Sequence, residues 1–377
     1  MKETYHQSLR QAYSGQPAGR LLGAYAKPHR LLLHVLIREE IVEGGGNFGC
    51  FMLTHRYQDI ISMENLLETW QRFIRGKRHK SDVIKYQAQL ADNLIVLHKL
   101  LETRTYAHHT YSAFNISDPK PRNIHKAIVR DRLLHHLIYK ELYLYFDKRF
   151  IYDSFSCRKY KGTHRAFNRF QDFAMKVSQN NTRTCYVLKC DIKKFFASID
   201  HQVLMQVLKR HIEDPEMLWL INQVVSSFCT TGEGIGLPLG NLTSQLLVNV
   251  YMHEFDMYVK QELRFIYYIR YADDFVFLSE DKTYLEKLLL LIEKFLNGKL
   301  KLSLHEHKVY IKTFGTGVDF LGWIHFPHHR QIRTTTKRKI IRKLRGYPKP
   351  ETVNSYRGLL ANGDTYTIQK STGLVCW

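Results

Sequence analysis

The chain has 377 residues, with 56 Lys and Arg against 35 Asp and Glu, a formal net charge of +21. Hydrophobic residues make up 44% and aromatics 13%, enough to bury a sizeable core, which excludes wholesale disorder. No apolar run approaches the roughly 20 residues of a membrane span, and residues 1–10 are polar, so neither membrane insertion nor a signal peptide is expected.

Residues 1–57 read as an irregular N-terminal extension, with Gly44, Gly45, Gly46 and Gly49 in a loop. Ser62 opens a helical pattern in which Leu66, Leu67, Trp70, Phe73 and Ile74 share one face. A second amphipathic helix is expected over 83–101, with Tyr86, Leu90, Leu94, Leu97 and Leu101 as its stripe. Pro119 and Pro121 exclude a helix interior, so 117–122 reads as a hairpin tip. A long helix over 131–146 follows, then a strand over 184–191. Apolar strands over 265–270 and 275–279 flank Tyr271-Ala272-Asp273-Asp274, the composition of a tight hairpin. Helices over 201–210, 241–262 and 284–296 lie between and after the strands. The fold class is α+β rather than a regular βαβ series.

The six cysteines form no CxxC pair, so neither a zinc ribbon nor a disulfide scaffold is suggested, and free thiols fit a reducing cytoplasm. No acid occurs between 320 and 350, while Arg330, Arg333, Lys337, Arg338, Lys339, Arg342, Lys343, Arg345 and Lys349 all do. Such a run points to a phosphate-tracking face. Asp273 and Asp274 adjoin in an apolar hairpin, and Asp191 ends another apolar strand. Adjacent acids repel and are costly to desolvate; divalent cations relieve both problems.

These residues carry a resemblance. Tyr271-Ala272-Asp273-Asp274 matches the YADD box of reverse transcriptases. Asp191-Ile-Lys-Lys-Phe-Phe-Ala-Ser-Ile-Asp200 resembles their motif A, and Gly236-Leu-Pro-Leu-Gly-Asn-Leu-Thr-Ser-Gln245 their motif B. Leu302-Ser-Leu-His-Glu-His-Lys308 resembles motif D, and Val318-Asp-Phe-Leu-Gly-Trp323 motif E, the primer grip. Pro119-Lys-Pro-Arg-Asn-Ile, with Arg130-Asp-Arg132 after it, resembles the finger segment of group II intron-like enzymes. Most of the family carries glutamine where Leu239 stands and proline where Gln245 stands. The pair seen here is similar to the reverse transcriptases of diversity-generating retroelements, as is Ser154-Phe-Ser-Cys-Arg-Lys-Tyr-Lys-Gly-Thr-His164.

The resemblance implies a right-hand polymerase: fingers and palm over 58–325 and a short basic thumb over 326–377. It implies two Mg²⁺ ions, or Mn²⁺, held by Asp191, Asp273, Asp274 and the Ile192 carbonyl. Lys120, Arg122 and Arg130 would contact the triphosphate. Phe196 would be the steric gate against a ribose 2′-OH, and Leu239, Gly240 and Ala272 would border the nucleotide. Lys308 would protonate the leaving pyrophosphate. Arg330, Arg333, Lys337, Arg338, Arg342 and Lys343 would grip nucleic acid. The implied activity is RNA-directed DNA synthesis, error-prone opposite template adenines, in the cytoplasm of a bacterium or its phage. The implied partners are a template RNA and its RNA/cDNA duplex, dNTPs, and a small, basic, helical, oligomeric accessory variability protein. A defence-associated or orphan group II-like reverse transcriptase is the alternative within the enzyme class. A catalytically silent RNA-binding scaffold is the alternative outside it.

Overall fold

The computed structural model describes Leu53 and residues 56–117, 121–230, 232–345 and 348–374. The glycine loop expected at 44–49, nearly all of the N-terminal extension, and Lys120 lie outside the described residues.

Ser62 caps the helix Met63–Phe73 by accepting from the Asn65 amide, and Leu66, Trp70 and Phe73 are buried on one face as the periodicity requires. The helix expected over 83–101 is instead two, Ser81–Ala88 and Leu90–Glu102. Gln89 leaves helical geometry at φ −123°, and the Asn93 side chain donates to the Tyr86 carbonyl across the break at 3.0 Å. The amphipathic stripe continues across the break, which is why periodicity alone reads one helix.

Strands β1 (Ser112–Ile116) and β2 (Arg122–Lys126) pair antiparallel and flank the proline-containing tip. The long helix Val129–Arg149 follows and is buried along much of its length. The palm is a four-stranded antiparallel sheet of β3 (Tyr186–Asp191), β4 (Tyr268–Tyr271), β5 (Asp274–Ser279) and β6 (Tyr310–Thr313), in the order β4-β5-β3-β6. Period-two alternation sends Leu188, Cys190, Phe275 and Phe277 into the large core with the fingers helices. Val187, Ile269, Val276 and Leu278 point the other way, into a second core beneath the helix Thr163–Val177. The helix Leu242–Met257 packs on the first face and ends in a π-helical turn, Tyr258–Glu262, where one continuous helix was expected.

Beyond the palm, β7 (Val318–Phe320), β8 (Trp323–His325) and β9 (Arg330–Ile332) form a three-stranded antiparallel sheet. Leu321 and Gly322 both have positive φ, the two-residue turn geometry that suits a right-twisted hairpin. Three helices follow: Thr334–Leu344, Pro350–Leu360 and Tyr366–Ser371. Ile340, Leu360 and Ile368 share a third core with Trp323, Ile332 and Phe167. The architecture is an α+β right hand. Among the described residues, no helix is long and apolar enough to cross a membrane.

Candidate active site

Register brings the acids together. Asp191, the last residue of β3, lies directly opposite Asp274, the first of β5. Tyr271 pairs with Asp274, so Ala272 and Asp273 form the whole turn, with Ala272 held at φ +56°. That left-handed conformation is uncommon for a residue with a Cβ and costs of order 1 kcal/mol. The Ile192 amide donates to the Asp273 carbonyl at 3.1 Å, locking the turn against the end of β3. Motif D closes the other side: Lys193 donates to Ser303, and His305 to the Asp191 carbonyl. The Ile192 carbonyl takes no part in that pair of bonds.

Burial and the Asp191 carboxylate push Asp273 above the usual carboxylate range, while Lys308 and Arg122 pull it back. Burial pushes Asp274 up to about 7 against the attraction of Lys189, and both neighbouring carboxylates add to the rise. One oxygen of Asp274, Oδ1, is buried with no hydrogen-bond partner; the other lies 3.3 Å from the Lys189 ammonium. Lys308 Nζ donates to Asp191 at 2.7 Å and is nearly half exposed. An orphaned buried carboxylate oxygen among repelling acids fits a divalent cation. Among the described residues, no three His, Cys, Asp or Glu side chains close on one ion. A partial set of hard oxygen donors suits Mg²⁺, which completes its shell with water and substrate phosphates.

The β3 strand runs into a 3₁₀ turn, Phe195–Ser198, through Lys194 in a left-handed conformation. Phe195 is buried, and Phe196 is half-buried, packed against the same core with part of its ring open to solvent. Motif B braces this turn: the Leu237 amide donates to the Phe196 carbonyl at 2.7 Å. Phe196→Ala should therefore admit ribonucleotides; parallel dNTP and NTP incorporation on one primer checks this, and an unchanged ratio in a folded variant assigns the ring to packing alone.

Leu239 is half-buried, and its carbonyl accepts from the His125 amide of β2 at 2.9 Å. Gly240 follows at φ +105°, where a Cβ would lie 2.7 Å from the Ile124 side chain, so the fingers strand and motif B touch only because this residue is glycine. Arg122 begins β2 and is exposed; its charge acts on Asp273, which places it toward the acids.

Three of the expected contact residues are engaged within the chain. Arg130 places its guanidinium on Asp131, the Ala107 carbonyl and His109, at the base of the fingers. Arg330 lies 5.1 Å from the Phe167 ring centre and bonds to the Asn362 carbonyl, which ties β9 to the segment after the helix Pro350–Leu360. Arg333 pairs with Asp319 at 2.6 Å, an acid just before the acid-free window. Lys337 is half-buried, whereas Arg338, Arg342 and Lys343 are exposed. Arg338, Arg342 and Arg345 share one face at helical spacing.

Two buried charged groups near the acids have no counterpart in the sequence expectations. Lys189 is one. The other is Arg270, fully buried in β4 with the equally buried Asp256. Arg270 donates through Nε and Nη2 to the two Asp256 oxygens at 2.8 and 2.6 Å, and to Asn249, Ser154 and the Ala272 carbonyl. All five N–H groups are used, and the bond to Ala272 reaches into the turn that carries Asp273. A charged residue at an inward position of an apolar strand is the signal that would have found both. A further polar relay, Thr243–His135–His108, links motif B to the fingers at 2.6 and 3.2 Å; burial pushes His135 down to about 3, so it is neutral.

Protein YkfC of Escherichia coli K12 is 24% identical over 284 residues, covering 65% of this chain and 72% of that protein. Retron Ec73 reverse transcriptase of Escherichia coli is 27% identical over 197 residues, 47% of this chain and 60% of that one. Among solved structures, telomerase from Candida albicans in complex with a fragment of telomeric RNA aligns over 72% of this chain and 55% of its own, with a TM-score of 0.47 and 10% identity. Residues 117–325 match the family described as reverse transcriptase (RNA-dependent DNA polymerase). With Asp191 and Asp274 paired across the palm inside that match, the chain belongs to the reverse transcriptase family.

Proposed function

We propose that this chain copies a template RNA into cDNA using two Mg²⁺ ions held by Asp191, Asp273, Asp274 and the Ile192 carbonyl. The observation that carries the reading is the cross-strand pairing of Asp191 with Asp274 beside the Asp273 turn. Bound divalent ions would supply charge neutralisation at the attacking and leaving oxygens. The chain's own residues do the rest. Phe196 borders the sugar, Arg122 offers a guanidinium to phosphate, and Lys308, 2.7 Å from Asp191, would serve as the acid for the leaving pyrophosphate. Primer extension on an RNA template with Mg²⁺ or Mn²⁺ tests the reading; no extension with either ion favours the RNA-binding scaffold.

The thumb face of Arg338, Arg342 and Arg345 would track phosphates of the RNA/cDNA duplex. Changing all three to Gln should reduce the slope of log affinity against log salt by roughly 0.7–0.9 for each phosphate no longer neutralised. An unmoved slope makes this a solvated face.

Within the family, we place the chain in a diversity-generating retroelement, in the cytoplasm, working with a small basic accessory protein. Leu239 supports this: an apolar side chain at the motif B position cannot offer the sugar and base an amide. Loss of one hydrogen bond worth roughly 0.5–1.5 kcal/mol raises misincorporation several-fold. Leu239→Gln should lower errors, most visibly opposite adenine, without abolishing synthesis; sequencing cDNA from both proteins on one RNA is the check. If the wild type copies adenines as faithfully as other bases, the alternative stands: a defence-associated or orphan group II-like enzyme. The similarity to a retron reverse transcriptase fits that second reading equally well.

A further inference from the structure

We propose that a buried relay from Asp131 through His108 and His135 to Thr243 is a positioning device, which holds the motif B turn against the fingers and thereby sets how tightly an incoming nucleotide is held. Asp131 and His135 stand four residues apart on the long helix Val129–Arg149, on one buried face. Asp131 accepts from the Tyr106 hydroxyl, the His109 amide and Arg130 Nε, each at 2.9 Å. Beside it, His108 Nδ1 lies 2.5 Å from the His109 carbonyl and 3.7 Å from the Asp131 carboxylate. The other His108 nitrogen is 3.2 Å from His135 Nε2, and His135 Nδ1 is 2.6 Å from the Thr243 hydroxyl. The relay runs in one direction. A carbonyl and a carboxylate only accept, so His108 carries its proton on Nδ1. Burial pushes both imidazoles below their usual range, so each ring holds one proton. His108 Nε2 therefore accepts from His135 Nε2, and His135 Nδ1 accepts from the Thr243 hydroxyl.

What the relay fixes is the start of the motif B helix. The helix Leu242–Met257 begins without a side-chain cap. Asn241, at the capping position, donates its side-chain amide to the His125 carbonyl of β2 at 3.0 Å, and the His125 amide donates to the Leu239 carbonyl at 2.9 Å. Two tethers to one residue define an axis about which the turn can rock. Thr243, in the first turn of the helix, is the third tether, and it reaches the long helix instead of β2, off that axis. A turn free to rock would disturb both of its neighbours: Leu237 braces Phe196, and β2 carries Arg122. Apolar side chains at these buried positions would join the two helices as well, but a fully bonded polar chain admits one arrangement. That a nucleotide lies against the turn rests on the reverse transcriptase reading; the three tethers do not.

The test compares wild type with Thr243→Val, Thr243→Ser, His108→Phe and the double variant Thr243→Val/His108→Phe. Valine keeps the volume and loses the hydroxyl; phenylalanine keeps a ring to stack on Tyr111 and loses the acceptor. On a primed RNA template, Thr243→Val and His108→Phe should each raise the KM for dNTP about tenfold, more than they lower kcat, and Thr243→Ser should restore the wild-type value. Both changes cut one relay, so the double variant should match the worse single variant instead of losing about 100-fold. Amide hydrogen exchange over 237–245 should quicken in both single variants and stay unchanged over β3. A merely structural role would lower the melting temperature and leave KM where it is. The proposal is overturned if KM stays put in a folded variant, if the two effects multiply, or if exchange over 237–245 is unmoved. Should Thr243→Val not fold, His108→Phe, which alters no motif B atom, decides alone. A wild type that extends no primer sinks the polymerase reading instead, and the exchange measurement still reads the hold, because it needs no catalysis.

Discussion

Asp273→Asn should abolish DNA synthesis while leaving the fold as stable as wild type, or more so, in a chelating buffer. Burial and Asp191 raise the Asp273 pKa in the folded state. A raised folded pKa means the native protein holds the proton more tightly than the unfolded chain. The metal-free fold therefore loses stability as pH rises through the carboxylate range, and the amide removes that loss. Asp274→Asn should also abolish synthesis without lowering stability in chelator, because burial pushes the Asp274 carboxyl up to about 7 in spite of Lys189 and the amide removes that cost as well. RNA affinity should survive in both, since it rests on distant cations. Primer extension, melting in chelator and RNA binding on the same preparations decide the matter. Near-normal extension by either variant, or a lowered melting temperature in chelator for both, would sink the assignment.

Arg270→Met should be the most damaging substitution away from the acids. It strands a fully buried Asp256, and breaking such a pair costs about 3–5 kcal/mol. It also removes the bond to the Ala272 carbonyl at 3.3 Å that steadies the turn carrying Asp273. Pairing it with Asp256→Asn removes the stranded charge and leaves Tyr268 an acceptor, so most of the stability should return. Synthesis should not: a turn displaced by even 1 Å can cost on the order of 100-fold in rate. Arg270→Lys should fold yet lose kcat more than KM, because three ammonium protons cannot make five fixed bonds. If activity returns with stability in the double variant, Arg270 supports the fold and positions nothing.

The helix and strand periodicities that position the site were legible along the chain. Period-two apolar runs around Asp191 and over 275–279 read as strands, and the four residues Tyr271–Asp274 read as a hairpin tip, which the register shortens to the two-residue turn Ala272–Asp273. Period-3.6 stripes gave the flanking helices, although the stripe over 83–101 runs unbroken across the kink at Gln89. Periodicity reports which side of an element is apolar, and that side does not change when a helix breaks and resumes in phase. The sheet β7–β9 was not legible, because its strands are three residues long, whereas the helix Thr163–Val177 carries a 3.6-period stripe of Phe167, Phe170, Phe173 and Val177 with basic residues on its other face.

What the chain determined by itself is the identity and order of the chemistry-bearing boxes and the alternation that puts Asp191 and Asp274 at the ends of apolar strands. Only the tertiary structure decided what each cation does. Arg330 and Arg338 lie in one basic run, yet the first stacks beside Phe167 and the second faces solvent. Lys189 and Arg270 read as interruptions of apolar strands until Asp274 and Asp256 are brought opposite them. The physical reason is that local patterning depends on a residue's own polarity and spacing, whereas the role of a charge depends on the counter-charge and solvent around it. Those neighbours come from residues distant in the chain, and folding alone sets them beside it.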